Sequence, residues 1–449
     1  MENKTRNEGN NNIIIQGITD STITLEVNGV TQEIQNEMAS LNALLERINT
    51  QQVEIAGKIY ALGELGQADL GLKKTFNVFI IKKLMFALAE HGLVHAQTFL
   101  DRTKSIEGWE NNSRVLTRAK QIISNAFVSV IGIQLRKIIA IGQQSFSEEK
   151  QETYIKTCYQ AAENTIQLLN FTLISVFWDV QKISNYELNE AETEILSLFF
   201  DDSIGRNLLN DVTLLEVLLN IFEKNEIPLP LKELKELNVE RFKQNCSRIQ
   251  KLESLLEKSQ HSLITCFEME GQLTEFLTHL ILFMNYDMLS VKSGVYDKKR
   301  TSLPKYIQSY IELGIEQKFN ESTEVLNILK IPVVTNSVLI CNKQSKDGVC
   351  INLSPFVIDY NTQVLEKGAK ICFFFSKGLD GKSIDYRFLE DNTIENVPYS
   401  NMLKENIKME DLMRDNRNHI KLKFDIIIEQ FEAAKNEVLK NSSIRKMEE

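Results

Sequence analysis

Proline and glycine are scarce in this chain, at 6 and 19 of 449 residues. So few helix breakers over that length favour long helices and weigh against a strand-rich sandwich. Long apolar runs are missing too. Leu168–Trp178, the longest, contains Asn170 and stops at Asp179, well short of the roughly 18–20 residues that span a bilayer. The opening MENKTRNEGNNNIII has neither the apolar core nor the small-residue cleavage site of a secretory signal. Positive charge is not in excess. The net charge of -10 argues against a dedicated nucleic-acid binder. The six cysteines (Cys158, Cys246, Cys266, Cys341, Cys350, Cys372) form no CxxC pair and fall mainly at apolar periodic positions, where a free thiol acts as a small hydrophobe. A reducing, cytoplasmic setting is the expectation.

Catalytic signatures are equally sparse. His91 and His95 stand four apart, as zinc-binding pairs do, but Gly92 occupies the place of the general-base carboxylate that HExxH requires. Gly381-Lys382-Ser383 resembles the end of a phosphate loop, yet Ser376 stands where the motif needs glycine. A strand-like Ile384–Phe388 follows in place of the helix whose N-terminus would hold phosphate, so a hairpin turn is the simpler reading. His261, His279 and His419 have no neighbouring nucleophile motif. No metal or cofactor is expected from these patterns.

What is present is helical periodicity. In Ser147–Gln181 the residues Ile155, Cys158, Ala162, Ile166, Leu169, Leu173 and Phe177 advance in steps of three and four, and from Leu168 onward the other faces turn apolar as well. A helix of this kind should start amphipathic and end covered on all sides at the centre of an assembly. Ser147 ahead of two glutamates is its expected N-cap. Further helical patterns run from Leu72 to about Leu329, in Thr75–Lys104, Asn112–Gln143, Glu187–Phe200, Asn207–Lys224, Pro230–Ser259 and Ser262–Leu289. Pro230–Ser259 is the most polar and carries a heptad-like set through Leu234, Leu237 and Phe242.

Two regions read as strands. Near the N-terminus, Ile13–Gln16, Thr22–Val27 and Val30–Ile34 are β-type runs, the last two joined by Asn28-Gly29, and an amphipathic helix follows over Asn36–Asn49. After Pro332 the period changes to two, giving strands at Val338–Cys341, Cys350–Leu353, Phe356–Asp359, Lys370–Phe375 and Ser383–Phe388, then helices over Met409–Arg414 and Lys421–Leu439. The length suggests about two to four domains. We expect a mainly α multi-helix bundle with a small N-terminal β-hairpin/helix module and a small C-terminal antiparallel β module (α+β), divided at 1–66, 67–330, 331–399 and 400–449.

Three groups of residues are candidates for function. Asp359, Asp385, Arg387 and Asp391, with Glu390 beside them, could build a polar pocket on the C-terminal strands. Alternation puts Asp385 and Arg387 on one strand face, where solvation is the default. Lys298, Lys299, Arg300 and Lys305, with Tyr296 and Tyr306, form the one basic-aromatic cluster and a candidate anion-binding loop. In the N-terminal segment Ile15, Thr24, Asn28, Gly29, Leu41 and Leu45 are the candidate partner-binding set.

The stretch NIIIQGITDSTITLEVNGVTQEIQNEMASLNALLERI resembles the effector-associated adaptor segments of bacterial conflict systems built around STAND-type NTPases. The rest, through LLNFTLISVFWD, LSPFVIDYN and KICFFFSKGLDGKSIDYRFLEDN, resembles an uncharacterised, mostly Bacteroidota protein family sharing that start. This resemblance implies homotypic recruitment of a second protein through residues 1–66. Lacking the NTPase phosphate loop, the chain would then be the recruited component, an adaptor, sensor or regulator in antiviral defence. Two other readings stay open. One is a metal-dependent hydrolase or nuclease assembled from distant carboxylates. The other is a membrane-disrupting effector using the apolar Val115–Ile141 and Leu168–Trp178.

Overall fold

The computed structural model describes residues 76–440 apart from 105, 107, 110–111, 144–146, 202–206, 259–260, 302–304, 314–324, 330–334, 344–349, 379–380 and 403–414. Chain contacts fall into two units, Met1–Ala56 and Gly57–Glu449, and every described residue belongs to the second. The expected N-terminal module, with Ile15, Thr24, Asn28, Gly29, Leu41 and Leu45, and the expected helix Met409–Arg414 lie outside the described residues.

The architecture is α+β and mainly α. Among the described residues nine helices come first: α1 (Val78–Glu90), α2 (Val94–Thr103), α3 (Ser113–Ala126), α4 (Ser129–Gly142), α5 (Glu148–Ser184), α6 (Glu190–Asp201), α7 (Leu208–Lys224), α8 (Val239–Ser254) and α9 (Leu263–His279). Strands β1 (Tyr286–Asp297), β2 (Lys305–Glu312), β3 (Val325–Leu329), β4 (Val338–Asn342) and β5 (Cys350–Asn352) form one antiparallel sheet in the order β3-β2-β1-β4-β5. A second antiparallel sheet has the order β6-β7-β8-β9, from β6 (Val357–Asp359), β7 (Ile371–Lys377), β8 (Ser383–Phe388) and β9 (Ile394–Pro398). Between β6 and β7 lies the short α10 (Tyr360–Val364), and α11 (Asn416–Val438) closes the described chain.

Helix α5 is the axis of the helical part of the second unit. The Ser147 side chain accepts the Lys150 N–H at 3.2 Å, and Glu148 and Glu149 occupy the first turn, where the helix dipole favours negative charge. All seven residues of its apolar face are fully buried, as are Leu168 and Ile174 on its other sides. Helices α4, α7, α8, α9 and α11 enclose it. Phe171 carries the core onward into the second sheet, with its ring 5.2 Å from that of Phe373 and 6.0 Å from that of Phe356. Among the described residues no helix is long and apolar enough to cross a membrane.

Several expected helices are shorter than the periodicity suggested. Gly92, at φ 89°, ends α1 and turns the chain into α2, so His91 and His95 do not share one helix. Extended backbone at Phe127 and Val128 separates α3 from α4. The Pro230 helix begins only at Val239, after a 3-10 turn over Lys232–Glu236. The largest correction lies after His279. The chain passes through a 3-10 turn at Ile281–Asn285 and becomes β1, so residues expected to be helical as far as Leu329 build three strands. Strand β1 starts with period two, Tyr286, Met288 and Ser290 turned inward, until a bulge between Val291 and Ser293 shifts its register.

The start of α1 is held by a distant carboxylate. Asn77 sits at φ 81° and does not cap the helix with its own side chain. Its Oδ1 instead accepts the Tyr154 hydroxyl at 2.8 Å, and its Nδ2 donates to the Ile138 carbonyl at 3.1 Å. The open N–H groups of Asn77 and Ile80 donate to Glu270 of α9 at 3.2 and 3.1 Å, a substitute for the missing cap. Gly142 lies beneath: a Cβ there would come within 2.1 Å of Asn77 Nδ2.

At the other end of α9, the His279 ring stands edge-on to Phe242 with centroids 6.1 Å apart, and its Nε2 is 3.9 Å from Glu275 Oε1. Burial holds its pKa below the ordinary histidine value. Glu275 opposes that shift and Arg241 adds to it. An unfolded histidine titrates near about 6.5, so below that pH the unfolded chain takes up a proton that the folded one resists. Stability from this group is therefore complete above about pH 6.5 and falls as the pH drops below it, by at most about 1.4 kcal/mol per pH unit. Urea unfolding of wild type and His279→Gln at pH 7.5 and 5.5 should show the smaller acid loss in the variant. Equal losses would refute the assignment.

Candidate functional site

Where the two sheets meet, β4 touching β6, the second half of the chain holds its most connected polar cluster. Asp359 ends β6 and is 2 % exposed. Its Oδ1 accepts the N–H groups of Asn361 at 3.1 Å and Lys370 at 2.9 Å, which makes it the N-cap of α10. Its Oδ2 accepts the Ser290 hydroxyl at 2.5 Å, the Thr362 hydroxyl at 2.8 Å and the Lys292 ammonium. Lys292 also donates to the Thr362 hydroxyl and, at 2.8 Å, to the Gly368 carbonyl. From α11, Lys423 donates to the Thr362 carbonyl at 2.8 Å. Burial, and then the charge of Lys292, hold the Lys423 pKa below the ordinary lysine value. Serine, lysine and aspartate are residue types of nucleophilic catalysis. Here Ser290 is completely buried and its hydroxyl donates a hydrogen bond to the carboxylate. As built, the cluster joins β1, β6, α10 and α11.

Arg387 heads a second network. From β8 its guanidinium reaches Glu163 at 2.7 Å, Asn164 Oδ1 at 3.1 Å and Gln167 Oε1 at 2.9 Å, all on α5. Gln167 Nε2 passes the chain on to Asp211 of α7 at 3.1 Å, and Asn170 donates to the Asp211 carbonyl at 2.9 Å. Glu163, Gln167 and Asn170 are spaced four and three apart, so the middle of α5 turns one polar stripe toward β8 and α7. Side-chain exposures of 11 % for Arg387 and 7 % for Glu163 make this a buried ion pair, so the solvated face expected for Arg387 is corrected. The strand alternation itself holds; what covers the face is α5.

The four residues expected to form one pocket therefore serve separate structures. Asp385 accepts the Ser376 hydroxyl and the Asn396 amide, each at 2.7 Å, and ties β7, β8 and β9 together. Asp391 is exposed and accepts the Thr393 hydroxyl at 2.6 Å and N–H at 3.0 Å, bonds that hold its carboxyl below the usual aspartate range. Lys298, Lys299 and Arg300 are exposed at the end of the β1–β2 hairpin, while the Lys305 and Tyr306 side chains lie outside the described residues. His91 Nδ1 pairs with the Ala87 carbonyl at 2.9 Å. Among the described residues no three His, Cys, Asp or Glu side chains gather as a metal-holding group.

Sequence reasoning missed Ser290, Lys292, Thr362 and Lys423 altogether. The one signal available was Ser290 and Lys292 at strand spacing, and it was hidden by reading the pattern as helical as far as about Leu329. The cysteines need a correction as well. Cys158, Cys246, Cys266 and Cys372 are buried free thiols as expected, but Cys341 and Cys350 are joined as a disulfide. They stand directly opposite on β4 and β5, a pairing that depends on strand register and not on any short motif. No family model, curated protein or solved structure matches this chain.

Proposed function

We propose that the protein is a cytoplasmic, non-enzymatic adaptor, sensor or regulator of a bacterial conflict system, which recruits another protein through residues 1–66. The observation that carries this reading is the use of its reactive-type side chains. Asp359, Lys292, Ser290, Arg387 and Glu163 are each committed to intramolecular partners that join distant elements, which suits a scaffold. One further point supports it: the resemblance of the N-terminal sequence to effector-associated segments.

The test is affinity purification from native lysate with full-length protein as bait, beside the full-length Leu41→Asp/Leu45→Asp variant. Recovery of a protein that bears a segment of the same type, lost in the variant while the thermal melt of the body is unchanged, is the expected result. Retention of every bound protein by the variant would sink the recruitment reading.

A further inference from the structure

The six cysteines fall into two chemical classes. Cys158, Cys246, Cys266 and Cys372 are 0 % exposed. Burial pushes the Cys266 thiol up to about 12 and raises the other three well above the usual thiol range. Such thiols are poor nucleophiles and hard to reach. Cys341 and Cys350 are different: they form the one disulfide among the described residues, and both are half-buried, within reach of solvent.

The bond lies at a mechanically simple place. Strand β5 is an edge strand of three residues, paired to β4 only through Leu339–Asn352, Ile340–Ile351 and Cys341–Cys350. The disulfide is the last rung of that ladder and closes a ring whose ends are nine residues apart. Past β5 the chain is held again, because the Leu353 N–H donates to the Val338 carbonyl at 2.9 Å and the Ser354 hydroxyl accepts the Val338 N–H. Opening the bond would thus free a short edge and leave the body anchored. An ion pair flanks the strand position of Cys341. Lys343, two residues beyond Cys341, pairs at 3.4 Å with Asp287, the residue opposite Cys341 on β1.

We propose that Cys341–Cys350 is a dithiol–disulfide exchange site, at which a dithiol reductant unclamps edge strand β5 from β4. One thiolate of the reductant attacks Cys350 Sγ, the S–S bond breaks, and its electron pair leaves on Cys341, which then takes a proton. The second thiol of the reductant attacks the mixed disulfide, forms the oxidised reductant and releases Cys350 as a thiol. Two electrons and two protons pass in all from the dithiol to the pair. Disulfides in reducing compartments are commonly transient and sensing ones, so this chemistry is compatible with the proposed location but does not depend on the recruitment reading.

The test uses full-length protein purified in air, treated with dithiothreitol under native conditions, alkylated and mapped by peptide mass. Labelling should appear at Cys341 and Cys350 and leave the four buried thiols unmodified. Hydrogen exchange over residues 350–352 should quicken at least tenfold on reduction and slow again on reoxidation. The Cys341→Ser/Cys350→Ser variant should match the reduced protein and ignore dithiothreitol. Six alkylated cysteines in the unreduced, denatured protein would overturn the proposal, and so would exchange in β5 that reduction or the double variant leaves unchanged.

Discussion

Replacing Asp359 with alanine is expected to lower folding stability by about 3–5 kcal/mol, the range seen when one partner of a buried charged pair is removed. The arithmetic follows from what the carboxylate holds. It accepts two backbone N–H groups, two hydroxyls and the Lys292 ammonium, and the Lys292 side chain is only 13 % exposed. Alanine would leave that ammonium to Thr362 and the Gly368 carbonyl, and α10 without its cap, itself worth about 1 kcal/mol. Asp359→Asn keeps the size and one acceptor oxygen but removes the charge, so it should fall between wild type and alanine. Thr362→Val removes one hydroxyl from the same cluster and should cost about 1 kcal/mol. Urea denaturation of the four proteins gives this order directly. A loss under about 1 kcal/mol for alanine, typical of an exposed pair, would show that the cluster does not hold the two sheets together.

Arg387→Met should be nearly as damaging, again by about 3–5 kcal/mol, because Glu163 of α5 would remain charged and buried without its partner from β8. Glu163→Gln should cost less, since a glutamine oxygen can still accept from the guanidinium. The informative protein is the double variant Arg387→Met/Glu163→Met. With neither charge left to desolvate, it should recover much of what Arg387→Met loses. The coupling between the two sites, read from a double-mutant cycle, should then lie well above the few tenths of a kcal/mol expected of independent positions. Simple additivity would mean that the two side chains do not act as a pair. Both predictions concern stability and therefore also probe the proposed function, in which these residues build a scaffold.

The parts of this fold that were legible are those governed by local periodicity. Helix α5 announced itself because each of its seven apolar positions is satisfied in one continuous segment, and Ser147 stood where a cap was needed. Strands β4 to β8 were readable from alternation, with the β7–β8 connection marked by Gly381 at φ 65°. Strand β1 was not, for two reasons. It follows the apolar Ile281–Met284, which extends the helical pattern of α9, and its bulge interrupts period two after a few residues. Its inward positions also include Ser290, a polar residue that a local reading assigns to the surface. Strand β9 escaped because it is an exposed edge ending in Pro398.

The polar networks were illegible for a different reason. Arg387 and Glu163 are 224 residues apart, and Lys292 and Asp359 are 67 apart. Each residue alone looks like an ordinary surface charge, and only the packed fold turns it into a buried one. The aspartates were noticed because they lay in apolar strands, which was the right cue. The inference that they shared one pocket failed because residues on different strands of one sheet can face different layers. Asp359 turns to β1 and α10, while Arg387 turns to α5.

The capping of α1 by Glu270 has a consequence for synthesis on the ribosome. The carboxylate that satisfies the Asn77 N–H lies 193 residues downstream. At translation rates of about 5–20 residues per second, Glu270 leaves the ribosome roughly 10–40 s after the segment it must hold. Throughout that interval the first turn of α1 is exposed to water, and to any chaperone that binds nascent chains, with its N–H groups unsealed. The residues N-terminal to it emerge earlier still. A newly made chain therefore presents its N-terminal segment well before the body can close behind it.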